Sequence, residues 1–208
     1  CHPIDDFFKA CPDCKVDYIA VHCYMNNPAA LESYINRFKK YNKPIWLTEF
    51  CAYEKNKGLT PEKQMDYMVN AITYLENDPD IYRYSWFTGR NKSGENEFPY
   101  NSLLKTGING MLTELGNIYV NMSSFDNNFY YSVGDTIQAE KFIDAHSVSL
   151  RQEDSITGNL YVENFYFGDW AKYQINISES KEYAITLKMF CNNGTILQIT
   201  DEEGNILE

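Results

Sequence analysis

Polar side chains that could do chemistry stand at the ends of three apolar runs in the first half of the chain. These residues, each given with its run, are His22 and Tyr24 (VDYIAVHCY), Glu49 (PIWLTEF) and Trp86 (IYRYSWFT). A carboxylate suits an oxocarbenium-like centre, an imidazole and a phenol can fix its charge state, and an indole is an apolar wall for a pyranose ring. The set therefore predicts chemistry on a sugar, with Glu49 as the reacting carboxylate. The alternative is that Glu49 is a solvated strand end and Trp86 fills a core.

These side chains converge only if the runs that carry them are parallel strands of one sheet. Residues 1–122 alternate short, nearly continuous apolar runs with amphipathic stretches, which is typical of strand and helix units around a parallel sheet. In a parallel barrel the carboxyl ends of the strands face the active site, so the polar ends would meet at one mouth. The pattern predicts strands at 16–24, 44–50 and 81–88, and helices at 4–10, 29–41, 61–77 (capped by Thr60, with Pro61 first) and 112–121.

The second half of the chain differs from the first in its charge balance and in its residue pattern. Residues 126–208 contain 14 acidic and 5 basic residues, whereas residues 1–125 contain 15 acidic and 13 basic ones. Residues 123–132 show no hydrophobic periodicity, so a linker is predicted there. Beyond the linker, 133–208 are expected to form an antiparallel β sandwich. The period-2 runs that indicate its strands are 136–139, 170–177, 183–190 and 196–200.

The net charge and the hydropathy of the chain argue against a nucleic-acid partner and against a membrane-spanning segment. The 208 residues include 18 basic and 29 acidic ones, a net charge of −11, so phosphate neutralisation on a nucleic acid is not expected. No apolar run approaches the roughly 18 to 20 residues that span a bilayer, so no membrane-spanning helix is expected either.

Four segments in order, VDYIAVHCY, KPIWLTEF, DIYRYSWF and LTELGNIY, resemble the C-terminal half of a barrel of glycoside hydrolase family 128. That family contains (β/α)8 endo-β-1,3-glucanases of the retaining type. The resemblance covers roughly residues 1–120 and implies a partial (β/α)8 TIM barrel made of strands six to eight. It makes Glu49 the nucleophile at the end of strand seven, with His22 and Tyr24 ending strand six and Trp86 ending strand eight. Tyr24 would hydrogen-bond the nucleophile, and Trp86 would form the base of the sugar subsite beside the cleaved bond.

Retaining hydrolysis also needs an acid/base carboxyl about 5 to 5.5 Å from the nucleophile. In the family this is the Glu of an Asn-Glu motif that ends strand four, and the sequence has no such strand. Glu54, Glu95 and Glu97 lie in loops on the correct side, but charged loop residues are usually solvated. We therefore expect the chain to be a segment of a larger protein, whose missing N-terminal half supplies five strands and the acid/base.

From 136 onward, IQAEKF, FGDWAKYQINI and YAITLKMF resemble the opening two-thirds of a family 6 carbohydrate-binding module, which is a β sandwich. In such modules the Gly-Asp-Trp segment is mainly structural, which implies that Trp170 lies in the core. Gln138 and Glu140 match a pair that helps to hold a structural calcium, a cation that suits hard oxygen ligands. Asn164 stands about where the first sugar-stacking aromatic is expected, with tyrosines on either side, so sugar binding by the module stays open.

The cysteines and glycosylation signals bear on the compartment. Cys11 and Cys14 are the only close pair of the six cysteines; no second pair or histidines follow at zinc spacing, and a small disulfide is the alternative. Cys23 and Cys51 are expected to be small buried residues. Four Asn-x-Ser/Thr triplets favour a secreted, extracellular protein.

The function expected from the sequence is thus that of a segment of a secreted retaining glycoside hydrolase, an endo-β-1,3-glucanase acting on β-glucan without a cofactor. Another β-glucan or mannan stays open, because other retaining barrel families also place a Glu on strand seven. The alternative from a different class is a cell-wall protein that binds glucan without cutting it. A third expectation is that these 208 residues do not fold stably on their own, because an open three-stranded parallel sheet exposes an edge and one face.

Overall fold

The computed structural model describes residues 3–53, 58–91, 99–154, 157–190 and 196–207. Its helices are α1 (Pro3–Ala10), α2 (Pro28–Asn36), α3 (Pro61–Asn77) and α4 (Glu114–Asn121), with a 3₁₀ turn at Lys39–Tyr41. Its longer strands are β1 (Ile19–Cys23), β2 (Ile45–Phe50) and β3 (Ile81–Trp86). Six short strands follow, β4 (Tyr131–Ser132), β5 (Asp144–His146), β6 (Ser149–Gln152), β7 (Leu160–Glu163), β8 (Trp170–Lys172) and β9 (Ile175–Asn176). No helix within the described ranges is both long and apolar enough to cross a bilayer.

The first three strands form one parallel sheet in the order β1-β2-β3, with helices in the connections. The three strands predicted from the apolar runs are therefore present, and they are adjacent in space. The inward side chains Val21, Leu47 and Phe50 are 6%, 0% and 0% exposed, so one face of the sheet belongs to the core. The parallel direction places the carboxyl ends of all three strands at the same edge.

Two capped helices supply the other side of this core. Asn27 caps α2 by accepting a hydrogen bond from the Ala29 N–H at 2.8 Å, and Thr60 caps α3 by accepting from the Lys63 N–H at 3.3 Å. Pro61 follows at the first position of α3, where its missing N–H costs nothing. The apolar side chains of α3 then recur at helical spacing on a buried face, at Met65, Met68, Ile72 and Leu75.

The opposite face of the sheet is open in the described part of the chain. His22 is exposed, and Trp46 and Tyr82 are 38% and 44% exposed although they lie on central and edge strands of a parallel sheet. Arg83 covers part of this surface, its guanidinium carbon 5.0 Å from the Tyr82 ring centroid. Parallel sheets are normally covered on both faces. The expected further barrel strands would cover this face, and they stay a prediction.

The segment after α4 packs against the helices and forms one compact unit with them, Cys1–Asn176. Leu150 on β6 is fully buried in the shared core, and Asn70 on α3 donates from Nδ2 to the Val148 carbonyl at 3.0 Å. Arg151 pairs with Asp66 of α3 at 2.8 Å. The linker predicted at 123–132 therefore lies inside this unit, because the residues after it bury apolar and charged groups against α3.

The described residues do not form the expected β sandwich. Within the first unit the short strands make three separate pairs, β5 with β8 and β6 with β7 antiparallel and β4 with β9 parallel. The predicted strand at 136–139 is irregular, and only parts of 170–177 are strand. Trp170 is 45% exposed and stacks on His146, so it is a surface residue here, because β8 belongs to a sheet of only two strands.

The second compact unit, Ile177–Glu208, also departs from the predicted strands. Residues 183–190 are irregular, although they alternate as a strand would, and Ile185, Leu187 and Met189 are 57%, 51% and 50% exposed. A strand needs a neighbouring edge to pair with, and none in the described ranges pairs with this segment. Near the end of the chain Thr200 and Ile206 form an antiparallel bridge across residues 201–205.

The cysteines agree with their expected roles where the structure describes them. Cys11 and Cys14 form a disulfide between α1 and β1, and Cys23 and Cys51 are free and buried. Cys1 and Cys191 lie outside the described residues, as do the three loop glutamates Glu54, Glu95 and Glu97.

Candidate active site

Glu49 and Tyr24 form a direct hydrogen bond at the carboxyl edge of the sheet. The Tyr24 phenol donates to Oε2 of Glu49, which is partly buried near the end of β2. Glu49 pairs in register with His22 on β1, and a bulge between Val21 and His22 shifts the last residues of that strand. A bulge re-aims the side chains that follow it. The structure therefore brings together three of the predicted site residues, as expected from the strand ends.

Tyr24 is held in its neutral, proton-donating form. Burial raises the pKa of the Tyr24 phenol well above its ordinary value, and the hydrogen bond to the Glu49 carboxylate raises it further. The Tyr24 ring also packs against the edge of Phe87, with centroids 5.6 Å apart and planes at 79°. Because the phenol keeps its proton throughout the neutral and mildly alkaline range, it can stabilise negative charge on Glu49.

Trp86 is placed differently from the open sugar platform that the resemblance implies. The indole is only 6% exposed, and its Nε1–H donates to the Asn101 carbonyl at 2.8 Å. The ring of Phe50 packs edge-on against it, with centroids 5.1 Å apart. In the structure Trp86 is thus a core residue beneath the site, which is the alternative that its sequence position left open. A role in a sugar subsite stays a prediction and requires access to one face of the ring.

Two thiols lie close to the site without the properties of nucleophiles. Burial raises the pKa of Cys51 to about 12, with the nearby Glu49 carboxylate adding to the effect, and burial also raises the pKa of Cys23. A nucleophilic cysteine needs a depressed pKa and an accessible sulfur. Neither thiol therefore has the properties of a nucleophile.

Sequence reasoning missed two buried amides, Gln64 and Asn101, that organise the loops around Glu49. Gln64 on α3 accepts from the Ala52 N–H at 3.0 Å and donates to the Ala52 carbonyl at 3.1 Å. Asn101 donates from Nδ2 to the Phe87 carbonyl at 2.9 Å. Both side chains are fully buried. The signal for Gln64 is its polar side chain beside the apolar stripe of α3, whereas no pattern in the sequence indicates Asn101.

The predicted calcium pair, Gln138 and Glu140, fits a cation only in part. Glu140 is 8% exposed, and its Oε2 has no hydrogen-bond partner among the residues that the structure describes, as a ligand oxygen would require. The Gln138 side chain is exposed. Within the described ranges no group of three or more His, Cys, Asp or Glu side chains is placed to hold a metal. The calcium site stays a prediction.

A cleft of the described surface lies away from Glu49. A cavity of about 590 Å³ opens between α3, α4 and the segment after α4, where Tyr84, Tyr119 and Phe129 contribute to its wall. Neither Glu49 nor Tyr24 lines it. The site around Glu49 is therefore identified by its hydrogen bonding and its place on the sheet.

Buried tyrosines near the site predict a loss of stability in alkali. Burial raises the pKa of Tyr67 and of Tyr84 above their ordinary value of about 10. Above pH 10 the unfolded chain therefore binds fewer phenolic protons than the folded one, so the free energy of unfolding falls as pH rises, and below pH 10 this contribution is complete. Urea unfolding at pH 7, 9, 10.5 and 11.5 should show this decline.

Tyr67→Phe should make that decline shallower. The Tyr67 hydroxyl has no hydrogen-bond partner among the described residues, so its removal should leave the variant as stable at pH 7 or more stable by about 1 kcal/mol. Tyr130→Phe, at a ring that is 52% exposed, is the matched control. Identical pH profiles for parent and Tyr67→Phe would contradict the assignment of the effect to this residue.

A family model described as glycosyl hydrolase catalytic core matches residues 3–119, more than half of the chain. The chain belongs to this family. The matched residues include α1 to α3, most of α4 and all three strands of the parallel sheet, so Glu49, Tyr24, His22 and Trp86 lie within the match. The residues after 119 lie outside the match.

Individual relatives match about half of this chain. Alkali-sensitive linkage protein 1 of Schizosaccharomyces pombe is 34% identical over 119 residues, which are 56% of this chain and 22% of that protein. A family 128 (subgroup II) endo-β-1,3-glucanase of Sorangium cellulosum is 39% identical with a TM-score of 0.48, covering 57% of this chain and 46% of the other. A family 128 (subgroup V) exo-β-1,3-glucanase of Cryptococcus neoformans is 28% identical with a TM-score of 0.43, covering 49% and 42%. The chain thus spans less than half the length of each of these relatives.

Proposed function

We propose that this chain is the nucleophile-bearing part of a secreted, retaining endo-β-1,3-glucanase. The observation on which the proposal mainly rests is the hydrogen bond from the Tyr24 phenol to Glu49, at the carboxyl edge of a parallel sheet in a chain of a glycosyl hydrolase family. A carboxylate in that place, with a neutral donor fixed beside it, has the properties of a glycosidase nucleophile.

In the proposed reaction Glu49 attacks the anomeric carbon while an acid/base carboxyl protonates the leaving glycosidic oxygen. The bond between the anomeric carbon and that oxygen breaks as an ester bond to Glu49 forms, and water then hydrolyses the ester with the acid/base acting as base. Tyr24 donates to Oε2, which leaves Oε1 as the attacking atom. The acid/base belongs to the N-terminal half of the barrel in this proposal, and no step needs a metal or organic cofactor.

The order of the strand motifs supports β-1,3-glucan as substrate, since VDYIAVHCY, KPIWLTEF and DIYRYSWF together resemble family 128. The test is to incubate the full-length protein with laminarin, a β-1,4-glucan and a mannan, and to follow the first product by proton NMR. We expect cleavage of laminarin with the β-anomer released first. Release of the α-anomer first would reject a retaining mechanism, and cleavage of mannan alone would reject the substrate.

Binding without cleavage is the second candidate function. The acid/base carboxyl is not assigned to any described residue, and a glucan-binding protein would not need one. Laminarin that binds to the full-length protein with no new reducing ends over a long incubation would favour this function. Sustained release of reducing ends that depends on Glu49 would reject it.

Secretion and a carbohydrate-binding role for residues 133–208 complete the proposal. The Cys11–Cys14 disulfide supports an oxidising compartment, as the glycosylation triplets do. A binding module would hold the enzyme at an insoluble glucan and raise the local concentration of catalyst. The feature that supports calcium in this part is the buried Oε2 of Glu140, which has no hydrogen-bond partner among the described residues. A calcium-dependent rise in melting temperature that Glu140→Gln abolishes would test it.

A further inference from the structure

Asn101 connects the loop after β3 to the residues that seat the candidate nucleophile. Its side chain is fully buried, and Nδ2 donates to the Phe87 carbonyl at 2.9 Å. Its backbone carbonyl accepts from the Trp86 indole at 2.8 Å. Asn101 thus binds both Trp86, the last residue of β3, and Phe87, the first residue after it, although it lies fifteen positions beyond Trp86 in the sequence.

Phe87 in turn contacts Phe50 at the end of β2 and Tyr24 directly after β1. The Phe87 N–H donates at 2.9 Å to the carbonyl of Phe50, the residue that follows Glu49 on β2. Its ring packs edge-on against the Tyr24 ring, whose phenol binds Glu49. A displacement of Phe87 would therefore move the phenol that donates to the Glu49 carboxylate.

We propose that Asn101 is a positioning residue for the proposed reaction, acting on Glu49 through Phe87 and Tyr24. The inference rests on the proposed function, and it adds a residue that does not touch the reacting atoms. A misplacement of about 1 Å at a reacting group can cost up to about 100-fold in rate. Loss of the Asn101 amide removes one of the hydrogen bonds that hold the Phe87 backbone, so the Phe87 ring shifts and the phenol and the carboxylate lose their alignment.

A double-mutant cycle in the full-length protein tests this coupling. We expect Asn101→Ala to lower kcat on laminarin about 10- to 100-fold with KM unchanged, because substrate contacts stay while the nucleophile is misaligned. In a Tyr24→Phe background the same substitution should have an effect of threefold or less, since the donor it positions is already gone. Equal effects of Asn101→Ala in both backgrounds would overturn the proposal.

Asn117→Ala is the matched control for the loss of a buried amide. Asn117 is 9% exposed and donates to the Gly158 carbonyl at 2.7 Å, so it also ties a loop to the core, but on the far side of α4. The Asn117→Ala substitution should lower the melting temperature and leave kcat unchanged. If Asn117→Ala lowered kcat as much as Asn101→Ala does, the effect of Asn101→Ala would be explained by a general loss of stability, and the proposal would be overturned.

Phe87→Leu keeps the test decisive if Asn101→Ala does not fold. This change leaves the backbone carbonyl that Asn101 binds and removes the aromatic edge that contacts Tyr24. It should reproduce the loss of kcat at constant KM, and parental kcat in a folded Phe87→Leu protein would overturn the proposed path. Activity retained by Glu49→Gln would instead reject the proposed function, so the two failures are distinguishable.

Discussion

Glu49→Gln should lower the rate at which the full-length protein cleaves laminarin by about 10⁴-fold, because the amide cannot form the covalent bond to the sugar. The substitution keeps the size of the side chain, and its amide oxygen can still accept the hydrogen bond from Tyr24. Reducing ends released over time measure the loss. Since the fold and the substrate contacts should persist, laminarin should still bind.

Glu32→Gln is the control for loss of one negative charge, because Glu32 is exposed on α2. It should retain parental activity. Adding azide to a Glu49→Ala variant gives a second readout, since azide can enter the space of the lost carboxylate and yield an α-glycosyl azide. A β-glycosyl azide would assign Glu49 to the acid/base role, and more than a tenth of parental activity in Glu49→Gln would exclude it as the nucleophile.

Gly116→Ala should destabilise the fold by more than about 3 kcal/mol, although alanine is favoured over glycine by about 1 kcal/mol inside a helix. A Cβ at this position of α4 would lie 2.0 Å from the Leu103 carbonyl oxygen and 2.8 Å from its carbon. The close approach is fixed by Thr113, whose N–H donates to the same Leu103 carbonyl at 2.9 Å. Because backbone on both sides must move, the cost cannot be avoided by a change of rotamer. The midpoint of urea unfolding measures it.

Gly89→Ala is the matched control, since a Cβ there meets nothing within 4 Å in the described structure. Its unfolding midpoint should stay close to that of the parent. A Gly116→Ala protein as stable as Gly89→Ala would show that α4 does not pack against residue 103 in the way described.

The parallel sheet could be predicted from the sequence because its signals are local. The predicted runs at 16–24, 44–50 and 81–88 are nearly continuous in apolar residues. Thr60 with Pro61 marks the start of α3 by cap chemistry alone. Since parallel strands end at one edge, the meeting of Tyr24 with Glu49 followed from the same pattern. The family match over 3–119 agrees with that part of the interpretation.

The remaining features depend on partners that are distant in sequence. Asn101 binds the Phe87 carbonyl fourteen positions away, and no periodic pattern marks it. Whether Trp86 faces a substrate or the core is decided by packing against Phe50, which its position at a strand end does not specify. Residues 183–190 alternate correctly for a strand, but β structure also requires a neighbouring edge, and local pattern cannot supply one.

Covalent trapping is the most direct test of the claim that Glu49 is the nucleophile. The full-length protein would be incubated with 2-deoxy-2-fluoro-β-laminaribiosyl fluoride, whose leaving group needs no protonation and whose ester intermediate hydrolyses slowly. Peptide mass spectrometry should find the added disaccharide on Glu49, and Glu49→Gln should remain unlabelled. A label on any other carboxylate, with Glu49 unmodified, would contradict the account.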